Sequence, residues 1–212
     1  MEESERDLLM AFYSNYILPR VINWAMNDKH LMPLRAELLA STYGEVAEIG
    51  FGTGANLPFY PKAVESLIGI ESSQEILNLA KKRLGSFSGK FIPIVASAVK
   101  IPLPKHSVDF VVSTFTLCSV SSTLSVLREA RRILKPGGTF LFLEHGLAVD
   151  LPVQKWQRRL TPLQKRLAGG CHLDRNILGL LADACMDVPK SKRFYVAGIP
   201  KPLGYVTMGE AE

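Results

Sequence analysis

At 212 residues, with 47% hydrophobic and 21% charged residues and a net charge of +5, the chain has the size and balance of one large globular domain. That profile excludes a disordered, collagen-like or disulfide-scaffold chain. Three cysteines, Cys118, Cys171 and Cys185, with no CxxC pair, argue against a disulfide framework or a zinc site, so no metal is expected.

The acidic start, Met1-Glu2-Glu3-Ser4-Glu5-Arg6, lacks a signal-peptide pattern. No apolar run approaches the ~20 residues of a spanning helix, so a cytoplasmic place is expected. Leu8, Leu9, Phe12, Tyr16 and Ile17 fall at helical spacing and predict an amphipathic N-terminal helix, kinked or divided at Pro19. A second helix is expected from about Pro33 to Leu39, with proline in its first turn. Residues 1–40 are read as a helical cap and 41–212 as the core of a single domain.

The periodicity then changes. Strands are expected at Val46–Ile49, Leu67–Ile70, Phe91–Val95, Val108–Thr114 and Thr139–Glu144, with helices at Gln74–Leu84 and Thr123–Leu134. A basic helical segment follows, then a helix at Arg175–Ala184 with Asp174 as its expected N-cap. Two last strands are expected at Arg193–Gly198 and Gly204–Met208. Strands alternating with helices predict βαβ units and a mainly parallel sheet. The last connection is too short for a parallel crossover, so the final pair should be antiparallel.

Chemistry concentrates in Glu48-Ile49-Gly50-Phe51-Gly52-Thr53-Gly54-Ala55-Asn56, a strand that breaks into a glycine loop. Glycine permits positive φ and close approach of a ligand. Such a loop at the end of a first strand is where nucleotide-like ligands bind in open α/β sheets. Gly50, Gly52 and Ala55 also fit the dinucleotide fingerprint, and a plain strand-to-loop turn is the bland reading. Glu71 ends the second strand, seventeen residues after Gly54, and can accept from both ribose hydroxyls of an adenosine ligand. Leu134-Lys135-Pro136-Gly137-Gly138-Thr139 makes an abrupt turn, and Ile101-Pro102-Leu103-Pro104 leads into the fourth strand.

Together these motifs resemble the class I S-adenosylmethionine-dependent methyltransferases, in their small-molecule subgroup, over roughly residues 44–145. The resemblance implies a Rossmann-like α/β fold: a seven-stranded, mostly parallel sheet with an antiparallel final strand. It implies S-adenosylmethionine as cofactor, with Gly50, Gly52 and Gly54 against its methionine part and Glu71 on its ribose. Ser97, Ala98 and Val99 would line the adenine, and Thr114, Phe115 and Leu117 would lie near the reacting centre. Glu48, Asn56 and Ser72 are counted with the same site. The subgroup usually has aspartate where this chain has Ser97, which can accept from the adenine amino group only without charge assistance. Tyr16-Ile17-Leu18-Pro19-Arg20, Asn56-Leu57-Pro58-Phe59-Tyr60, Leu117-Cys118-Ser119-Val120, Glu144-His145, Gly170-Cys171-His172-Leu173 and Pro202-Leu203-Gly204-Tyr205 carry a narrower resemblance. It is to the methyltransferase-like 7 type thiol methyltransferases and, more distantly, to bacterial phosphatidylethanolamine N-methyltransferases. It implies a small lipophilic acceptor (a thiol, amine or phenol-like compound).

His145 is the first catalytic candidate, because it follows the fifth strand and an imidazole suits proton removal near neutral pH. His172, beside Cys171 after Gly169-Gly170, is the second. Each has a structural reading as a hydrogen-bonded loop histidine, and Cys118 reads as a small buried hydrophobe. Tyr13, Tyr16, Tyr195 and Tyr205 are open candidates for acceptor contact. Basic runs at Lys81–Arg83, Arg128–Arg132 and Arg158–Arg166 lack interleaved aromatics, so nucleic acid is not an expected partner. Trp156 and Leu160 among Arg158, Arg159, Lys165 and Arg166 suit peripheral contact with anionic lipid. Two rival functions are a nicotinamide-dependent oxidoreductase on the same glycine loop and a non-catalytic cofactor-binding or membrane-surface module.

Overall fold

The computed structural model describes Arg20 and residues 28–212. Its seven strands are β1 (Gly44–Ile49), β2 (Val64–Glu71), β3 (Lys90–Val95), β4 (Val108–Thr114), β5 (Leu134–His145), β6 (Lys190–Tyr195) and β7 (Tyr205–Ala211). They form one sheet in the order β3-β2-β1-β4-β5-β7-β6. The first five strands pair in parallel, while β7 is antiparallel to both β5 and β6. This is the mostly parallel, seven-stranded sheet with an antiparallel final strand that the sequence predicts. The helices are α1 (Met32–Leu39), α2 (Gln74–Ala80), α3 (Thr123–Ile133), α4 (Leu151–Leu167), α5 (Ile177–Asp183) and α6 (Lys201–Gly204). Among the described residues, no helix is long and apolar enough to cross a membrane. The expected N-terminal helix, its Pro19 break, Tyr13 and Tyr16 lie outside the described residues.

The central strands are apolar on both faces because helices cover both. Successive residues alternate between two cores. Ala47, Ile49, Val111, Phe140 and Phe142 pack with Val126, Leu127, Ala130 and Ile133 of α3 and with Ile177 and Leu181 of α5. Val46, Val112, Leu141 and Leu143 pack with Leu38 and Leu39 of α1 and with Leu77 and Ala80 of α2. The α3 residues recur at i, i+1, i+4 and i+7, which is one helical face. Each large aliphatic side chain buried there contributes about 1.5–3 kcal/mol. Leu127 is 0% exposed, so Leu127→Ala would cost about 2–5 kcal/mol.

Several local boundaries differ from expectation, each for a physical reason. The turn expected at Lys135–Gly138 becomes a bulge inside β5: Val108 pairs with Leu134 and Phe110 with Thr139, looping out the residues between. Gly137 takes φ 76° there, and Lys135 Nζ is tied to Asp109 Oδ1 at 2.9 Å. α2 ends at Ala80 and tightens into a 3-10 turn over Lys81–Ser86, where Gly85 weakens helix propagation. Asn176, not Asp174, caps α5 by accepting from the Gly179 N–H, while Asp174 instead accepts from the Thr161 hydroxyl at 3.2 Å. The last two strands are displaced outward from the expected ones because the chain between them, with Pro200 and Pro202, forms α6. Proline has no N–H to give a ladder.

Candidate active site

The C-terminal ends of β1, β2, β4 and β5 open on one cleft of about 980 Å³. This is the edge at which open parallel sheets bind ligands. The glycine loop that follows β1 forms its floor. Gly50 has φ 68°, and a Cβ there would meet Thr116 Oγ1 at 2.1 Å, so glycine is required by packing as well as by backbone. Gly52 has φ 58°, yet among the described residues a Cβ there meets nothing nearer than the Gly50 carbonyl at 3.7 Å. Among the described residues, the space over Gly52 belongs to the cleft.

Glu71 closes the loop from the next strand. Its Oε2 accepts from the Gly52 N–H at 3.1 Å, and Oε1 accepts from the Ser72 hydroxyl and the Ser73 N–H at 3.1 Å each. Ser97, Ala98 and Val99 line the same cleft after β3, as do Ser72, Glu48 and Thr114. Arg83 braces the loop from outside by donating to the Thr53 carbonyl at 2.9 Å and its hydroxyl at 3.0 Å.

Beneath the loop lies a buried polar network. Arg35 donates to Asn56 Oδ1 at 2.6 Å and to Thr114 Oγ1 at 2.9 Å. Asn56 Nδ2 donates to Glu48 Oε1 at 2.9 Å, and Tyr60 donates to Glu48 Oε2 at 2.7 Å. Burial pushes the Glu48 carboxyl up to about 7, against the pull of Tyr60, Arg35 and Asn56. A buried carboxyl needs compensating partners, and here Asn56 and Tyr60 hydrogen-bond it while Arg35 stands nearby as a cation.

The far end of the cleft carries the other chemistry. Glu144, fully buried, accepts from the Ser113 hydroxyl at 2.7 Å and from the Thr116 and Cys118 N–H groups at 3.0 and 3.3 Å. Burial raises its pKa above the usual range. It thereby fixes the loop after β4 against the end of β5. There Cys118, His145 and Cys171 meet: Cys171 Sγ lies 3.5 Å from Cys118 Sγ and 3.5 Å from His145 Nδ1. The bridging S–H pushes Cys118 well up, with burial adding to it, and the same bond pulls Cys171 down. Phe115 packs on the His145 ring, 4.9 Å between centroids.

The sequence-predicted residues thus divide. Glu48, Gly50, Gly52, Glu71, Ser72, Ser97, Ala98, Val99, Thr114 and His145 share the cleft. Gly54 packs against Leu57 and Phe51, Asn56 lies in the buried network, and Leu117 is core. His172 stands off the cleft wall, half-buried, with its N–H on the Cys118 carbonyl at 2.8 Å and its pKa lowered by burial and by Arg175 and Lys165. Two features escaped the sequence reading. Arg35 is a buried charge whose signal was its position three and four residues before Leu38 and Leu39, on the same helical face. The cysteine–histidine cluster had no local signal, since its members come from three separate segments.

A parallel sheet with a glycine loop after β1, an acid ending β2 and a lipophilic cleft beyond defines the class I S-adenosylmethionine-dependent methyltransferases. A family model described as a methyltransferase domain matches residues 47–142. Human thiol S-methyltransferase TMT1B is 33% identical over 181 residues, covering 81% of this chain and 70% of that protein. Rat thiol S-methyltransferase TMT1B is 39% identical over 147 residues, covering 65% of this chain, and the chain spans only 58% of that relative's length. Phosphatidylethanolamine N-methyltransferase of Cereibacter sphaeroides is 27% identical over 147 residues, 68% of this chain and 71% of that one. Among solved structures, a SAM-dependent methyltransferase from Thermotoga maritima shares the fold with a TM-score of 0.66 at 18% identity, covering 95% of this chain and 98% of that one. The chain belongs to the family of the TMT1-type thiol S-methyltransferases, within the S-adenosylmethionine-dependent class. That membership disfavours the nicotinamide-dependent reading.

Proposed function

We propose that this chain transfers the methyl group of S-adenosylmethionine to a small lipophilic thiol. The observation that carries the reading is the continuity of one cleft from the glycine loop and Glu71 to the Cys118–His145–Cys171 end. The cofactor supplies a methyl group on a sulfonium, already activated for in-line displacement. The glycine loop and Glu71 hold it by its methionine and ribose parts, and Ser97, Ala98 and Val99 flank its adenine. The positive φ of Gly52 and the open space above it suit close approach of such a ligand.

The residues at the other end handle the acceptor. Leu167, Val196, Ile199, Leu203 and Val206 give that part of the cleft an apolar wall, which suits a lipophilic compound. A thiol of pKa near ~8.5 is mostly protonated at neutral pH, so removal of its proton raises the reactive fraction. His145, at that end of the cleft, takes that proton. Alignment of donor and acceptor in such a cleft can contribute up to about 7–11 kcal/mol. Transfer of labelled methyl groups to a panel of thiols, amines and phenols tests this. Thiols should be preferred, and equal or better use of amines would overturn the assignment.

We also propose that α4 rests on an anionic lipid surface. Trp156 and Leu163 are 55% and 56% exposed and fall on one side of the helix, seven residues apart. Exposed Lys155, Arg159 and Arg166 flank that side. Gln157 anchors the opposite side by accepting from the Ala148 N–H and donating to the Gly146 carbonyl, each at 3.0 Å.

A further inference from the structure

Cys118, His145 and Cys171 come from the loop after β4, the end of β5 and the turn after α4, and all three line the cleft. Their donor atoms converge: the two sulfurs are 3.5 Å apart, and His145 Nδ1 is 3.5 Å from Cys171 Sγ and 4.0 Å from Cys118 Sγ. A tetrahedral zinc ion, with Zn–S of about 2.3 Å and Zn–N of about 2.0–2.1 Å, separates two sulfurs by about 3.8 Å and a sulfur from a nitrogen by about 3.6 Å. The observed separations agree with these to within roughly half an ångström. Two thiolates and an imidazole are a soft to borderline set that suits zinc over magnesium or calcium.

The arrangement is also braced from behind. Glu144 holds the Cys118 N–H, the His172 N–H holds the Cys118 carbonyl at 2.8 Å, and the Cys171 N–H bonds the Ala168 carbonyl at 3.2 Å. Such outer partners orient metal ligands. Structural zinc sites close with four protein ligands, whereas three leave a position for a reactant. All three residues here line the cleft, from which a reactant could reach that position.

We propose that Cys118, Cys171 and His145 hold a zinc ion at the acceptor end of the cleft, with its fourth position taken by the acceptor thiolate. The acceptor half rests on the thiol-methyltransferase reading; the metal site does not. On binding, the acceptor S–H loses its proton to solvent. Its sulfur then forms the new S–C bond to the donor methyl, the sulfonium C–S bond breaks, and the electron pair leaves on the donor sulfur. The thioether product is neutral and a weak ligand, so it departs. In the loaded protein the His145 lone pair is committed to the ion, and His145 positions rather than removes the proton.

The test uses the whole chain, stripped with a chelator and titrated with Co²⁺. One equivalent should bind and produce tetrahedral visible bands and a thiolate charge-transfer band, both abolished by added Zn²⁺. Cys118→Ser, Cys171→Ser and His145→Ala should each lose or shift these bands at an unchanged melting temperature, while Cys185→Ser, at an exposed thiol, should keep them. Bands that survive in Cys171→Ser, or an absence of bands together with a Cys118–Cys171 disulfide detected by mass, would overturn the metal site. Adding 2-mercaptoethanol to the cobalt form should shift the charge-transfer band; no shift overturns the acceptor half. Methyl transfer to thiols that persists undiminished in the chelated protein would overturn that half while leaving the thiol-acceptor reading intact.

Discussion

Asn56 donates from Nδ2 to Glu48 Oε1 across 2.9 Å, with both side chains buried beneath the glycine loop. The amide stands between Glu48 and Arg35, which do not bond each other directly. Glu48 therefore sits near a cation without an ion pair, and burial, the largest influence, pushes its carboxyl up to about 7. This has a consequence for stability. In the unfolded chain the carboxyl ionises near ~4.5, before it does in the folded protein, so the folded state holds the proton longer. Stability from this group falls as pH rises from about 4.5 to 7 and is level above. At about 1.4 kcal/mol per pH unit the loss amounts to about 3 kcal/mol. Denaturant unfolding of wild type and Glu48→Gln should show wild type losing stability relative to the variant as pH rises from about 4.5 to 7; parallel curves would contradict it.

Substitutions in the glycine loop should separate folding from binding. Gly50→Ala places a methyl 2.1 Å from Thr116 Oγ1 and should lower the melting temperature sharply. Gly52→Ala pays only for left-handed backbone, about 1–2 kcal/mol, because the space above is open. Gly52→Val should fold yet lose S-adenosylmethionine affinity by more than tenfold in calorimetry. A Gly52→Val protein that binds normally would remove the loop from the site.

Glu71→Ala removes hydrogen bonds to a charged group worth about 1.5–3 kcal/mol each. Cofactor affinity should fall at least roughly tenfold. Ser97→Asp should act in the opposite sense, by giving the adenine amino group a charged acceptor. Calorimetry on both, beside wild type, checks the pair of signs.

His145→Ala should lower methyl transfer to a thiol by ~10²–10⁴ at neutral pH and leave cofactor affinity unchanged. The deficit should shrink at higher pH, where the acceptor ionises unaided. Wild-type turnover across the range would make His145 structural.

Lys155→Glu with Arg159→Glu should weaken binding to vesicles containing anionic lipid by roughly tenfold or more, since each basic residue near such a surface is worth about 1 kcal/mol. Added salt should weaken the wild type in the same direction. Vesicle flotation reads both, and binding equal to wild type would remove α4 from the lipid surface.

What the sequence disclosed follows the range of the interactions. The glycine loop, Glu71 and the succession of strands and helices are local or periodic features and are legible, whereas the placing of β7 between β5 and β6 is not. The α5 cap was not, because Asp174 and Asn176 are both acceptable caps and a contact to Thr161, on another helix, decided between them. The bulge in β5 looks like a turn from its Pro-Gly-Gly sequence, because only the register against β4 shows the ladder resuming at Thr139. Arg35 was hidden in an otherwise ordinary helix, since a buried cation is intelligible only with Asn56 and Thr114 around it. The cysteines were judged by their spacing along the chain, whereas Cys118 and Cys171 meet through tertiary structure alone.

The position of β7 between β5 and β6 bears on how the chain folds. Phe140 pairs with Ala211 across the whole of α4 and α5, whereas Tyr195 pairs with Tyr205 through the short α6 connection. Closing the longer loop costs more entropy than forming the nearby pair, though the penalty grows only logarithmically with length. On this ground the β6–β7 pair is expected to form before the β5–β7 pair. A substitution that weakens β6 should thus slow the assembly of the sheet, even though β6 lies at its outer edge and far from the cleft floor.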